Sequence, residues 1–168
     1  MENNSRIIGI DPGSRFTGVG IIEKNNQKLK YLYSRAISTA SEKTLDQKLK
    51  YIFLELNKII EEFQPKIASI EKIFHSVNPR SSLILGHARG VAMLSASLLG
   101  LQINEYSPTE VKSAVVGVGR ADKQQVAKMV RILLNINNID KMKDDESDAL
   151  AMAICQANQI NYNRFIKK

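Results

Sequence analysis

The chain has one cysteine, no tryptophan, two histidines and four prolines in 168 residues. A lone thiol closes no intramolecular disulfide, so Cys155, set among alanines, is expected to be a small buried hydrophobe in a reducing cytoplasm. His75 and His87 belong to no His/Cys cluster, so nothing favours zinc and both are read as solvated polar residues. The most apolar stretch, Val91 to Leu101, is broken by serines and too short to span a bilayer. The polar start, Met1 to Arg6, is not followed by the apolar block of a secretory signal. A membrane role is therefore not expected, and the expected location is the cytoplasm. No repeat, low-complexity tract or Pro/Gly/Ser-rich linker divides the sequence. One domain over 1–168 follows, long enough to bury a core without disulfides or structural metal.

Positive charge is not lacking. A net charge of +7 and a pI near 9.5 point to an anionic partner, with nucleic acid the leading candidate. The hydrophobic share of 43% and charged share of 24% are those of an ordinary globular domain.

Residues 6 to 11 form a short apolar run stopped by Pro12-Gly13-Ser14, which predicts a buried strand ending in a turn. Phe16 to Glu23 and Leu29 to Ser38, parted by the polar Asn25-Asn26-Gln27, predict two more strands in an antiparallel meander. From Leu45 to Phe63 apolar residues recur at three and four, an amphipathic helix ended near Pro65. Ile67 to Glu71 reads as a strand, Asn78-Pro79 opens a helix to about Gly100, and Ile103 to Tyr106 is another strand. Helices are expected at about 108–116, 122–136 and 144–160, the last opening in an acidic cluster that suits a helix N-terminus. This order describes an α/β fold, a mixed five-stranded sheet flanked by helices, as in the ribonuclease H-like arrangement.

Four carboxylates stand out. Asp11 ends a buried strand, where a charge is costly unless solvated, hydrogen-bonded or metal-bound; an Asp-Pro-Gly turn is the simpler reading. Glu71 closes a second apolar strand, and a solvated strand end would account for it. If these strands are parallel neighbours, both acids leave the same end of the sheet, where α/β ligand sites tend to lie. Asp145 and Asp148 share one helix face, crowded by Asp144 and Glu146; charge at a helix N-terminus explains them without metal, whereas a divalent cation would relieve their repulsion. Asp144 could reach the same face as Asp145. The small residues after Asp148, beginning Ala149-Leu150-Ala151, would let this helix lie close to the sheet. Oxygen-only ligands favour Mg2+, with Mn2+ as substitute, and two ions per site suit phosphodiester hydrolysis.

Outside the acids, Gly117-Val118-Gly119-Arg120-Ala121-Asp122-Lys123 is a glycine-containing loop beside a helix start, where amides and cations can meet phosphate. The helix after Pro79 carries Gly86, Ala88, Gly90, Ala92, Ser95, Ala96 and Ser97, small residues that permit close approach to the sheet or to a second subunit.

Gly9-Ile10-Asp11-Pro12-Gly13-Ser14-Arg15 with Thr17-Gly18, Ile70-Glu71-Lys72-Ile73-Phe74 and Gly86-His87-Ala88-Arg89-Gly90-Val91-Ala92 resemble the RuvC family of bacterial Holliday-junction resolvases. So do Pro108-Thr109-Glu110-Val111-Lys112, Val115-Val116-Gly117-Val118-Gly119 and Asp145-Glu146-Ser147-Asp148-Ala149-Leu150-Ala151. The ordered match runs from about residue 6 to 157. The resemblance implies a homodimer that binds four-way junction DNA and makes two symmetric nicks in recombination and repair, beside the RuvA and RuvB branch-migration proteins. It maps Asp11, Glu71, Asp145 and Asp148 onto the family's metal ligands. Lys112 and Lys123 fall at DNA- or phosphate-binding positions, and Phe74 where a ring contacts bases near the junction centre. An actin-type ATPase would need a second related domain that this chain has no room for. A ribonuclease H-like enzyme acting on RNA shares the fold class, which alone does not choose between substrates.

Overall fold

In the computed structural model, residues 4–72, 79–137 and 142–166 are described. The elements follow in the order β1 (Asn4–Asp11), β2 (Phe16–Asn25), β3 (Lys28–Ser38), α1 (Leu45–Phe63), β4 (Ile67–Glu71), α2 (Pro79–Leu98), β5 (Gln102–Tyr106), α3 (Pro108–Val116), α4 (Lys123–Leu134) and α5 (Asp144–Ile166). The five strands form one sheet in the order β3-β2-β1-β4-β5. β1, β2 and β3 are an antiparallel meander, whereas β4 runs parallel to both β1 and β5. This is the expected ribonuclease H-like mixed sheet flanked by helices.

Local chemistry sets the element ends. Gln64 ends α1 in the left-handed region (φ 49°) and Pro65 bars its continuation. Ser107 caps α3, accepting from the Glu110 N–H at 3.2 Å, and Gly117 closes it at φ 90°. At α4 the Asp122 carboxylate accepts from the Gln125 N–H at 2.8 Å, so Asp122 is the cap and the helix proper starts at Lys123. The last helix extends to Ile166, past the expected end near 160.

Strand alternation divides the core between the two faces of the sheet. On one face Ile8, Ile10, Val19, Ile21 and Ile70 pack with Ile52, Leu56, Ile59 and Ile60 of α1 and Ala88, Ala92 and Ala96 of α2. On the other, Ile7 and Ile22 pack with Val111 and Val115 of α3, Val126 and Val130 of α4, and Leu150 and Ile154 of α5. Cys155 is fully buried in that second layer, as expected, and burial pushes its thiol up to about 12.

Candidate active site

The alternation that buries Ile7 turns Gly9 and then Asp11 towards α5, while Ile8 and Ile10 face α1 and α2. In β4, Ser69 faces α5 too, its hydroxyl donating to the Met152 carbonyl at 2.8 Å. Glu71 follows on that same face. Because Ile10 pairs with Ile70 in parallel register, Asp11 and Glu71 leave the sheet side by side at its carboxyl end. The turn after Asp11 is held by side chains: the Thr17 hydroxyl donates to the Gly13 carbonyl at 2.8 Å, and that of Thr39 to the Ser14 carbonyl at 2.6 Å.

α5 brings the other acids by lying backbone-to-backbone on the sheet. A Cβ at Gly9 would stand 1.9 Å from the Ala149 carbonyl oxygen, and one at Gly18 would stand 1.9 Å from that of Asp145. At Gly20 a Cβ would meet Leu150 at 2.7 Å. Only hydrogen at these positions allows so close a seat. The alanines after Asp148 do the same from the helix side, as the sequence suggested. Within this first turn the acids diverge. Glu146 points away and accepts from the Ser34 hydroxyl at 2.7 Å, and Asp144 is exposed. Asp145 and Asp148 are half-buried.

The acids form one electrostatic unit. Burial, and then the charges of Glu71, Asp148 and Asp145, push Asp11 up to about 7, with Lys123 opposing. Glu71 is raised by burial first and then by Asp148, again opposed by Lys123. The Lys123 ammonium sits 3.1 Å from the Asp148 carboxylate. That bond, followed by the charges of Asp148, Asp11 and Asp144, raises Lys123 against a smaller lowering by burial. Asp145 thus acts on Asp11, whereas Asp144 acts on Lys123.

A cavity of about 350 Å3 collects Asp11, Glu71, Asp148, Lys112 and Lys123 above an apolar floor that includes Val111, Val126, Ala151 and Met152. Asp145 stands beside this cavity and is not part of its lining. A larger groove of about 630 Å3 lies between β3 and the end of α4. Among the described residues lining it the one acid, Glu146, is already bonded to Ser34, whereas the smaller cavity gathers three acids and two lysines. Among the described residues no three His, Cys, Asp or Glu side chains form a ready ligand set; Asp148 is turned onto Lys123 instead. The donors nonetheless suit a hard divalent cation. They are all oxygens, and burial, followed by the charges of Glu71, Asp148 and Asp145, holds Asp11 well above the usual carboxylate range.

Of the basic residues singled out, Lys112 and Lys123 reach the cavity, while Arg120 is exposed in the turn before α4 and outside it. Phe74 and His75 lie outside the described residues, and His87 is exposed on α2. Sequence reasoning missed two supports. One is the glycine seat under α5, signalled by the alternation of Gly18 and Gly20 in β2. The other is Arg89, which donates from Nε to the Glu71 carbonyl at 2.9 Å and pairs through its second guanidinium nitrogen with Glu105. Its partners, a backbone carbonyl in β4 and a side chain in β5, lie at no spacing that a sequence displays.

The chain is similar to known proteins along nearly its whole length. The family model described as "Crossover junction endodeoxyribonuclease RuvC" matches residues 7–156. A protein of that name from Alkaliphilus oremlandii is 45% identical over 161 residues, covering 96% of this chain and 98% of its own. Another from Syntrophotalea carbinolica is 48% identical over 158 residues, covering 94% and 97%. Among solved structures, Thermus thermophilus RuvC in complex with a Holliday junction substrate superposes with a TM-score of 0.87 at 26% identity, covering 95% of this chain and 96% of that one. The yeast mitochondrial Holliday junction resolvase Ydc2 shares the fold, with a TM-score of 0.64 at 17% identity over 97% of this chain and 85% of its own. With its acids gathered at the carboxyl edge of this sheet, the chain belongs to the RuvC family of crossover junction endodeoxyribonucleases.

Proposed function

We propose that the protein resolves four-way DNA junctions, hydrolysing one phosphodiester in each of two strands at symmetric positions, in recombination and repair. One observation carries this reading: three acids and two lysines share a single cavity at the sheet edge of a chain belonging to this family. The full-length likeness to a relative solved on a Holliday junction supports the choice of DNA substrate.

In this reading Asp11, Glu71, Asp148 and Asp145 hold Mg2+, or Mn2+ in its place, with two ions per site. Bound there, such ions supply an activated water and positive charge for the phosphate and the leaving oxygen. The chain's own residues set the geometry. Asp11 and Glu71 project from neighbouring strands of a rigid sheet, so their separation is fixed by the β1–β4 ladder. Asp148, bonded to Lys123 at 3.1 Å, would help hold the cation, and the Lys123 ammonium would then be free for a phosphate oxygen. Lys112 offers a second charge from the same cavity, and Arg120, exposed in the turn before α4, is assigned to DNA contact by its place in the glycine-containing loop. Phe74 is assigned to stacking on bases near the junction centre on the strength of the family resemblance.

Two symmetric nicks need two sites related by a two-fold axis, so a C2 homodimer is the working form. The outward face of α2 suits that contact. Leu83, Leu94 and Leu98 stand 67%, 52% and 65% exposed there, beside the small residues Gly90 and Ser97. RuvA and RuvB are assigned as partners by the same resemblance, and the cytoplasm as location by the lone buried thiol. No described helix is long and apolar enough to cross a membrane.

The test is direct. Purified protein is incubated with a mobile four-way junction, linear duplex and RNA–DNA hybrid, each with Mg2+ or with EDTA. Paired nicks confined to the junction and to Mg2+ are expected. Preferential loss of the RNA strand of the hybrid would overturn the assignment.

A further inference from the structure

Glu71 is the last residue of β4, and the ladder to β1 stops one residue earlier, at Ile10 and Ile70. Its carbonyl is instead taken by Arg89, whose Nε–H donates to it at 2.9 Å. The same guanidinium bonds the Glu105 carboxylate through Nη2. Glu105 sits in β5 directly beside Ile70, so one side chain from α2 ties the ends of two neighbouring strands. Arg89 is mostly buried, with 17% of its side chain exposed against 36% for Glu105. It approaches from the α1/α2 face of the sheet, the side opposite the carboxylate cavity, and lines no part of that cavity.

We propose that Arg89 is a positioning residue for Glu71, fixing the end of β4 from behind so that the Glu71 carboxylate is held at its working place in the cavity. The inference rests on Glu71 being a metal ligand, as argued above. Its physical basis is the fork of the guanidinium. Two N–H groups on one rigid plane serve a carbonyl and a carboxylate at once, with Glu105 fixing the plane's orientation. A lysine carries a single nitrogen on a flexible stem and cannot hold both in fixed geometry. Without this tie the Glu71 carbonyl loses its partner, and the strand end is held from the β5 side alone, where Glu71 pairs with Tyr106 and the Lys72 N–H donates to the Tyr106 carbonyl at 2.8 Å. An outer support of this kind typically accounts for ~10–100-fold in metal affinity or activity.

The experiment compares the wild type with Arg89→Lys, Glu105→Gln, the double variant and Glu71→Gln. Mn2+ alone is titrated into each full-length protein and free ion is counted by electron paramagnetic resonance. Single-turnover nicking at saturating junction, junction affinity and thermal midpoint are measured alongside. Arg89→Lys is expected to weaken Mn2+ binding and slow nicking by ~10–100-fold, with junction affinity within about twofold. Glu105→Gln should shift both in the same direction, and the double variant should lose little more than Arg89→Lys. If Arg89→Lys does not fold, Glu105→Gln carries the test. A lowered thermal midpoint with unchanged Mn2+ affinity and nicking, while Glu71→Gln loses both, would overturn the role of Arg89 alone. Should Glu71→Gln itself keep Mn2+ binding and nicking, the metal-site reading falls and the inference with it.

Discussion

Gly9→Ala places the seat of α5 under direct test. The added methyl would stand 1.9 Å from the Ala149 carbonyl oxygen and 2.8 Å from the Ala153 nitrogen. Relief to the ~3.3 Å of an ordinary carbon–oxygen contact requires a shift of at least about 1.4 Å. β1 cannot yield, since it is paired on both sides by β2 and β4. α5 must therefore lift, against the Ser69 bond to Met152 and the buried Leu150 and Ile154. Overpacking of this kind costs ~1–3 kcal/mol. Restricting the unfolded chain returns ~0.4–1 kcal/mol. For a domain of this size each kcal/mol moves the melting temperature by ~2–4 °C, so a fall of several degrees is expected. The effect on catalysis is larger. Asp148 immediately precedes Ala149, and a misplacement of ~1 Å can cost ~100-fold in rate. Single-turnover nicking of a mobile junction in Mg2+, well below the melting temperature, should slow by ~10–100-fold while junction affinity changes little. Wild-type nicking in Gly9→Ala would refute the claim that this close seat delivers the helix acids to Asp11.

Two further outcomes follow from the charges. Asp11 is raised from 3.8 to about 7, so between those values the folded, metal-free protein keeps a proton that the unfolded chain has released. Its contribution to stability is full below pH 3.8 and is lost as pH rises through about 7. The melting temperature in EDTA should therefore fall from pH 5 to pH 8 by more in the wild type than in Asp11→Asn, and added Mg2+ should stabilise more at pH 8 than at pH 5. Identical pH profiles for the two proteins would contradict the buried, crowded state of Asp11. Lys123→Met removes the ammonium of a side chain that is 76% exposed in its pair with Asp148, so stability should shift by no more than ~0.5 kcal/mol. Junction affinity should drop, and the slope of log affinity against log salt should lessen by about one phosphate contact. An unchanged salt slope would remove Lys123 from the DNA surface.

Much of this architecture is legible in the residues because burial writes a period into them. The three- and four-residue recurrence from Leu45 to Phe63 and the apolar run from Ile67 to Glu71 mark elements with those same bounds. The strand-end placement of Asp11 and Glu71 follows from the same runs once β1 and β4 lie parallel. What the period does not carry is the third dimension of the seat. Gly9, Gly18 and Gly20 are ordinary strand glycines until a helix backbone is laid across them. The choice between Asp144 and Asp145 is of the same kind. Both fit the helix; only in the fold does Asp145 lie against Gly18, with its charge acting on Asp11, while the charge of Asp144 acts on Lys123. Arg89 escaped for a different reason: its partners are a backbone carbonyl in β4 and a side chain in β5, and neither lies at a spacing that sequence displays. Beyond residue 160 α5 continues through Asn161-Tyr162-Asn163-Arg164-Phe165-Ile166, a stretch with no proline or glycine to end it.

Four acids from three elements are proposed to form one cation site. Mn2+ bound to the protein–junction complex, counted by electron paramagnetic resonance in the wild type and in five single Asp→Asn or Glu→Gln variants, tests it most directly. Substitution of Asp11, Glu71, Asp148 or Asp145 should each weaken Mn2+ binding by ~10-fold or more, and Asp144→Asn should leave it near the wild-type value. Undiminished Mn2+ binding after loss of Asp11 or Glu71, or a loss on removing Asp144 as large as that on removing Asp145, would contradict the site as it is drawn here.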